Sequence, residues 1–131
     1  MHPHTHQAID AELCGTPIAM SPGHAEVELV AGERMRVDAS GLVHGGFVFG
    51  LVDHAAMLAI DAPTVVLGAA ELRFLAPVVV GERVHAVALL ERVEGKKHFV
   101  DVVARTDARE VLRGTLTCFV PERHVLGGGP R

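Results

Sequence analysis

Two glycines and one carboxylate carry the chemistry open to this chain. His44-Gly45-Gly46 stands just ahead of an apolar run from Phe47 to Ile60, and Asp53 lies inside that run. Asp53 and its neighbour His54 are the run's only polar side chains. A helix that is apolar on every face is a buried helix, and carboxylates are almost never fully buried unless paired or used. Asp53 falls in mid-helix, where capping does not account for it. Its residue type and setting point to catalysis, as a general base for water or as a direct nucleophile, and the residues leave both roles open. The helix start offers the complementary function. Its unsatisfied backbone N–H groups and the positive end of the dipole attract an anion. Gly45 and Gly46, lacking side chains, let a substrate carbonyl come close to the backbone. The ring of His44 either orients this loop and touches the substrate or hydrogen-bonds its own loop. His54 lies roughly 100° round the helix from Asp53, which assigns it to the core or to a subunit contact.

These residues need elements to hold them. His24 to Val37 alternates loosely with a break at Gly32 and reads as a strand pair. Asp38-Ala39-Ser40-Gly41 is a turn, and the helix that follows stops near Asp61-Ala62-Pro63, since proline cannot continue it. The rest reads as strand: Thr64 to Leu75, Val84 to Val93, His98 to Thr106 and Val111 to Val120. Turns fall at Gly81-Glu82, Glu94-Gly95-Lys96-Lys97 and 107–110. Four consecutive strands at hairpin spacing predict an antiparallel meander. The expected fold class is α+β: a curved antiparallel sheet of five to six strands wrapped around one long central helix. Val87 and Leu89 make the strand Val84–Val93 apolar on both faces, which calls for a second covering layer and hence a homodimer or larger assembly.

Length and composition bound the rest. The 131 residues suit a single domain, with an ordered core over about 9–124. Residues 1–8 read as a solvated tail, with His2, His4 and His6 spaced to share a metal if the segment were extended. Gly127 to Arg131 has no means of forming a regular element. Lys and Arg number 12 against 16 Asp and Glu, a net charge of -4, and Trp and Tyr are absent. Both facts count against a nucleic-acid binder, which needs a basic face and stacking aromatics. No signal peptide is visible and no apolar run reaches the roughly 18 residues of a membrane span. Cys14 and Cys118 suggest no disulfide framework, so the reading is a cytoplasmic protein with reduced thiols.

His44-Gly45-Gly46, then six residues, then Asp53, with Arg73-Phe74-Leu75-Ala76-Pro77 ending the next strand, resembles the hotdog-fold thioesterases, in particular the phenylacetyl-CoA pathway branch. The resemblance spans residues 24–120. It implies hydrolysis of acyl-CoA thioesters by a dimer, or a dimer of dimers, with active sites between subunits. It assigns the oxyanion contact to the Gly45 N–H, with Gly46 the near alternative, and the attack to Asp53. No metal and no cofactor are implied, CoA being part of the substrate. Phe47, Val48 or Met57 would line the acyl pocket, and Lys96, Lys97, Arg73 and Arg123 are candidates for the CoA phosphates.

Two departures from the family pattern stand out. Asp38 replaces the Asn that relatives place six residues before the His, and an ionised Asp38 near Asp53 would raise the pKa of one of the pair. The strand hydroxyl expected near Leu67 or Gly68 is missing, and Thr64 falls too early to replace it. These departures keep two alternatives in view: a non-catalytic acyl-CoA-binding or sensing module on the same fold, and a hotdog hydratase or dehydratase using Asp38 and His44.

Overall fold

The computed structural model describes residues 1–127. A short helix α1 (Ala11–Cys14) leads into strands β1 (Thr16–Ser21) and β2 (His24–Val30), followed by the long helix α2 (Gly45–Ile60). Four strands complete the chain: β3 (Val66–Phe74), β4 (Arg83–Glu94), β5 (Lys97–Arg105) and β6 (Glu110–Phe119). They form one six-stranded antiparallel sheet in the order β1-β2-β4-β5-β6-β3.

The order corrects two expectations. β3 does not open a four-stranded meander. It crosses to the far side and pairs with β6, leaving β2 to pair with β4. Strand propensity is local, but strand neighbours are chosen by how the sheet wraps the helix between β2 and β3. The second half of the expected strand pair is absent too: Glu33–Met35 forms a 3-10 turn, and β1 supplies the missing partner of β2. Met35, read as a strand residue, is instead a core plug, 2% exposed.

Helix α2 is buried on nearly every side, with Leu51, Val52, Ala55, Ala56 and Met57 fully enclosed. Ala55, Ala56 and Ala59 keep its surface low enough for the sheet to close over it. The facing layer comes from Val27 on β2, Val84, Ala86 and Ala88 on β4, and Val100 and Val102 on β5. The helix stops at Asp61, which adopts the left-handed conformation (φ 55) and returns its N–H to the Met57 carbonyl at 2.7 Å.

The outer face of the sheet is more polar than expected. Glu26 and Glu28 face His85 and Arg83, and the apolar exceptions are few, Leu89 among them. The β3 edge is also bare: Phe74 is 57% exposed and most of the strand is open to solvent. Near the start of β3 the register slips at Gly68, and the Phe119 ring lies over the gap; a Cβ there would come within 2.0 Å of it.

Residues 1–8 contact the end of α2. The His4 backbone N–H and ring Nδ1 both meet the Asp61 carboxylate at 2.7 Å, and Thr5 is buried. Alternating histidines gave no periodic apolar signal, so their packing was invisible until the end of α2 presented a carboxylate. Of the C-terminal stretch, Gly127 donates its N–H to the His124 carbonyl at 2.7 Å, and residues 128–131 lie outside the described region.

Candidate functional site

Helix α2 positions both halves of the chemistry. At its start, His44 is the cap residue, yet its side chain makes no capping hydrogen bond. Its backbone N–H donates to the Met35 carbonyl at 2.8 Å, which fixes the loop. The ring folds back over Gly46, where a Cβ would stand 3.0 Å from it, and meets the Phe47 ring edge-on at 6.0 Å. A side chain at Gly46 would require the histidine ring to give way by a few tenths of an ångström. The first glycine faces elsewhere: its Cβ position looks onto Phe74 at 3.5 Å. Gly45 lines a cleft of about 380 Å³ with Val48, Phe74 and Pro77. First-turn amides of a helix have no partner within it, so the open start of α2 can meet an anion in that cleft.

Asp53 lies two turns further on. Its Oδ1 is buried and has no hydrogen-bond partner among the described residues. Burial raises its carboxyl above the ordinary range for aspartate. The carboxylate opens onto a second, larger cleft of about 860 Å³. Unpaired buried carboxylates cost stability, and native chains seldom keep one without use.

Two thiols feel its charge, a feature sequence spacing did not reveal. Burial, aided by the negative charge of Asp53, pushes the Cys118 thiol up to about 12. Burial also raises Cys14, with Asp10 and Asp53 adding to the effect. Both remain thiols at neutral pH. His54, the next residue on α2, is buried and uncharged: burial lowers its pKa, and Nδ1 meets the Cys14 carbonyl at 3.1 Å. It ties α1 to α2, which is a core role.

Within one chain, Gly45 and Asp53 serve different clefts. They are eight residues apart on one helix, or about 12 Å along its axis, too far to act on one carbonyl. Asp38 is not paired with Asp53. It is fully exposed, and its Oδ1 accepts from the Ser40 N–H at 2.9 Å and the Ser40 hydroxyl at 2.5 Å. Those bonds lower its pKa, and desolvation alone raises that of Asp53. Met57 is fully enclosed in the core and lines no cleft. Phe47 packs between His44 and the core. Arg73, Lys96 and Lys97 are exposed and border neither cleft, Lys97 standing 6.0 Å over the Phe119 ring. The Thr64 hydroxyl is committed to the Pro121 carbonyl at 2.7 Å. Among the described residues, no three His, Cys, Asp or Glu side chains are placed to hold a metal ion, and no helix is long and apolar enough to cross a membrane.

The larger cleft also has walls that periodicity could not supply. His4 to Ile9 forms one side, Pro63 to Leu67 another, and His124 to Leu126 a third. Loop and terminal residues carry no repeat by which to place them, so these walls became visible with the tertiary structure.

A curved six-stranded antiparallel sheet wrapped round one long buried helix is the hotdog fold. Within that fold class, residues 50–124 match the family described as fluoroacetyl-CoA-specific thioesterase, and the chain belongs to it. The matched span contains Asp53 and strands β3 to β6.

A methylthioribose-1-phosphate isomerase of Aquifex aeolicus is 43% identical over 110 residues, 84% of this chain but 24% of that one. Transcription factor FapR of Caldanaerobacter subterraneus is 31% identical over 119 residues, 90% of this chain and 60% of that one. The chain thus spans a part of each curated relative. Uncharacterized protein PH1136 of Pyrococcus horikoshii superposes with a TM-score of 0.93 at 48% identity, over 97% of this chain and 100% of that one. A mutant phenylacetic acid degradation protein PaaI of Thermus thermophilus superposes at 0.75 with 26% identity, covering 85% and 97%.

Proposed function

We propose that this protein hydrolyses an acyl-CoA thioester, in a site assembled from two copies of the chain. The observation that carries this reading is Asp53 itself, which borders a substrate-sized cleft and whose Oδ1 is buried without a hydrogen-bond partner among the described residues. The Gly45 N–H of one copy holds the thioester carbonyl and stabilises its developing negative charge. Asp53 of the other copy drives the attack. The 12 Å gap along α2 within one chain and the exposed apolar edge at β3 both favour this arrangement, since pairing two edges brings two helices side by side. Family membership supports the reaction class.

Two routes are open to Asp53. As a base it takes a proton from water, the hydroxyl adds to the carbonyl carbon, and CoA leaves as its thiolate. As a nucleophile it forms an anhydride that water then cleaves. In the second route CoA leaves as its thiolate when the anhydride forms, and single-turnover hydrolysis in ¹⁸O water identifies that route by label in Asp53 when water cleaves the anhydride at the Asp53 carbonyl. The primary test is thiol release from a panel of acyl-CoAs by wild type and by Asp53→Asn. Release by the wild type and its loss in the variant are expected. Equal rates would overturn the role of Asp53.

A second reading, a binding module without hydrolysis, is favoured by the match to transcription factor FapR and by the commitment of Thr64 to a structural bond. Tight binding of CoA esters with no thiol release would select it.

A further inference from the structure

We propose that the N-terminal segment His4–Ile9 is the acyl-group wall of the Asp53 cleft and sets which esters the site accepts. The inference rests on the reading of Asp53 as the reacting group and goes beyond it, to specificity. The segment forms one side of the cleft into which Asp53 opens. It is fixed rather than draped. The Asp61 carboxylate grips the His4 N–H and ring at 2.7 Å each, Thr5 is buried with its hydroxyl 2.8 Å from the His6 ring, and the Ile9 N–H returns to the His6 carbonyl at 3.2 Å.

Asp61 is also the residue that ends α2, so the wall is anchored to the helix that carries Asp53. The wall is not uniform. His4, Thr5, His6 and Gln7 give it a polar end, and Ala8 and Ile9 an apolar one. Val66 and Leu67 from β3 and Val125 and Leu126 from the C-terminal segment line the same cleft. A cleft bordered by a single carboxylate and by the apolar side chains of Ile9, Val65, Val66, Leu67, Val125 and Leu126 fits an acyl chain whose carbonyl is at the carboxylate. Asp61 is on this view a positioning residue: it touches the wall, and the wall touches the acyl group.

Three variants test the wall in opposite directions. Ile9→Ala deepens the cleft, Ala8→Trp fills it, and Asp61→Asn releases the clamp while keeping a side chain that tolerates the left-handed backbone. Each is assayed with acetyl-, butyryl-, hexanoyl- and octanoyl-CoA for kcat/KM, and by calorimetry for binding of the same esters. The octanoyl-to-acetyl ratio is expected to rise about tenfold in Ile9→Ala and fall about tenfold in Ala8→Trp, the discrimination typical of apolar pockets. In Asp61→Asn the preference flattens. Thermal melts confirm that each variant is folded. A merely structural role would change all esters together and leave the ratio fixed, and that result overturns the proposal while leaving hydrolysis intact. If the wild type binds the esters without cleaving them, hydrolysis fails and the ratio of affinities decides the wall. Absence of both binding and cleavage overturns the two together.

Discussion

Asp53→Asn should raise stability and abolish turnover in the same protein. In the wild type, one oxygen of the carboxylate is buried without a partner, and desolvation has lifted its pKa above the ordinary 3.8. An unsatisfied buried polar group costs about 1–3 kcal/mol, more when charged. An amide of the same shape keeps the polar atoms but removes the charge, so the gain is about 1 kcal/mol, or roughly 3–5 °C in Tm for a domain of this size.

The sign of the pH dependence follows from the raised pKa. Below 3.8 the carboxyl is protonated in both the folded and the unfolded chain, and Asp53 does not oppose folding. As pH rises through the higher folded value, the native state must ionise a desolvated group, and stability falls. The Tm advantage of Asp53→Asn should therefore be absent in strong acid and open as pH increases. Turnover moves the other way: removing a general base costs about 100-fold or more, and wild-type kcat/KM should climb with pH through a value above the ordinary aspartate range. Melts of both proteins across pH, beside thiol release, provide the assay. A variant less stable than wild type at neutral pH would refute the reasoning, since it would mean that the Asp53 charge is satisfied.

Other substitutions probe the remaining parts. Gly45→Ala places a methyl at ordinary contact distance from Phe74, so melts should show no loss of stability while kcat/KM drops as the methyl blocks approach to the amide. Gly68→Ala drives a methyl into the Phe119 ring and should lower stability by about 1–3 kcal/mol, with Phe119→Leu restoring most of it in the double variant by denaturant unfolding. Arg109 grips Glu82 at 2.6 Å and the Pro77 carbonyl at 2.6 Å, and its hydrogen bond holds the Glu82 carboxyl below the ordinary 4.5. That contribution is present above 4.5 and is lost as pH falls through the depressed folded value, so the Tm gap between wild type and Arg109→Ala should close in acid. Sedimentation equilibrium should give at least a dimer, and a monomer that still releases thiol would refute the shared site.

Much of the design could be read from the chain because it is periodic or locally specified. An unbroken apolar run with one carboxylate meant a buried helix with an unpaired polar group, and His44-Gly45-Gly46 meant a helix start without a side-chain cap. β4, β5 and β6 followed from alternation and turn residues. The chain order alone could not place β3 beside β6, because strand neighbours depend on the path round α2 rather than on spacing. Asp38, read beside Asp53, binds Ser40 because the nearest donors in its exposed turn are local. Met57, read as a pocket residue, faces the closed interior, and helical spacing does not say which side of an all-apolar helix stays open.

The sequence by itself determined what the helix carries: its glycines, its carboxylate and its apolar faces are intrinsic to the residues and their 3.6-residue period. The tertiary structure alone decided what surrounds them. It set Gly45 and Asp53 in separate clefts, brought two thiols under the charge of the carboxylate, and folded the His-rich N-terminal segment onto Asp61 as a wall. Those relations join residues far apart in the chain, and long-range contacts leave no trace in local pattern until the sheet has closed round the helix.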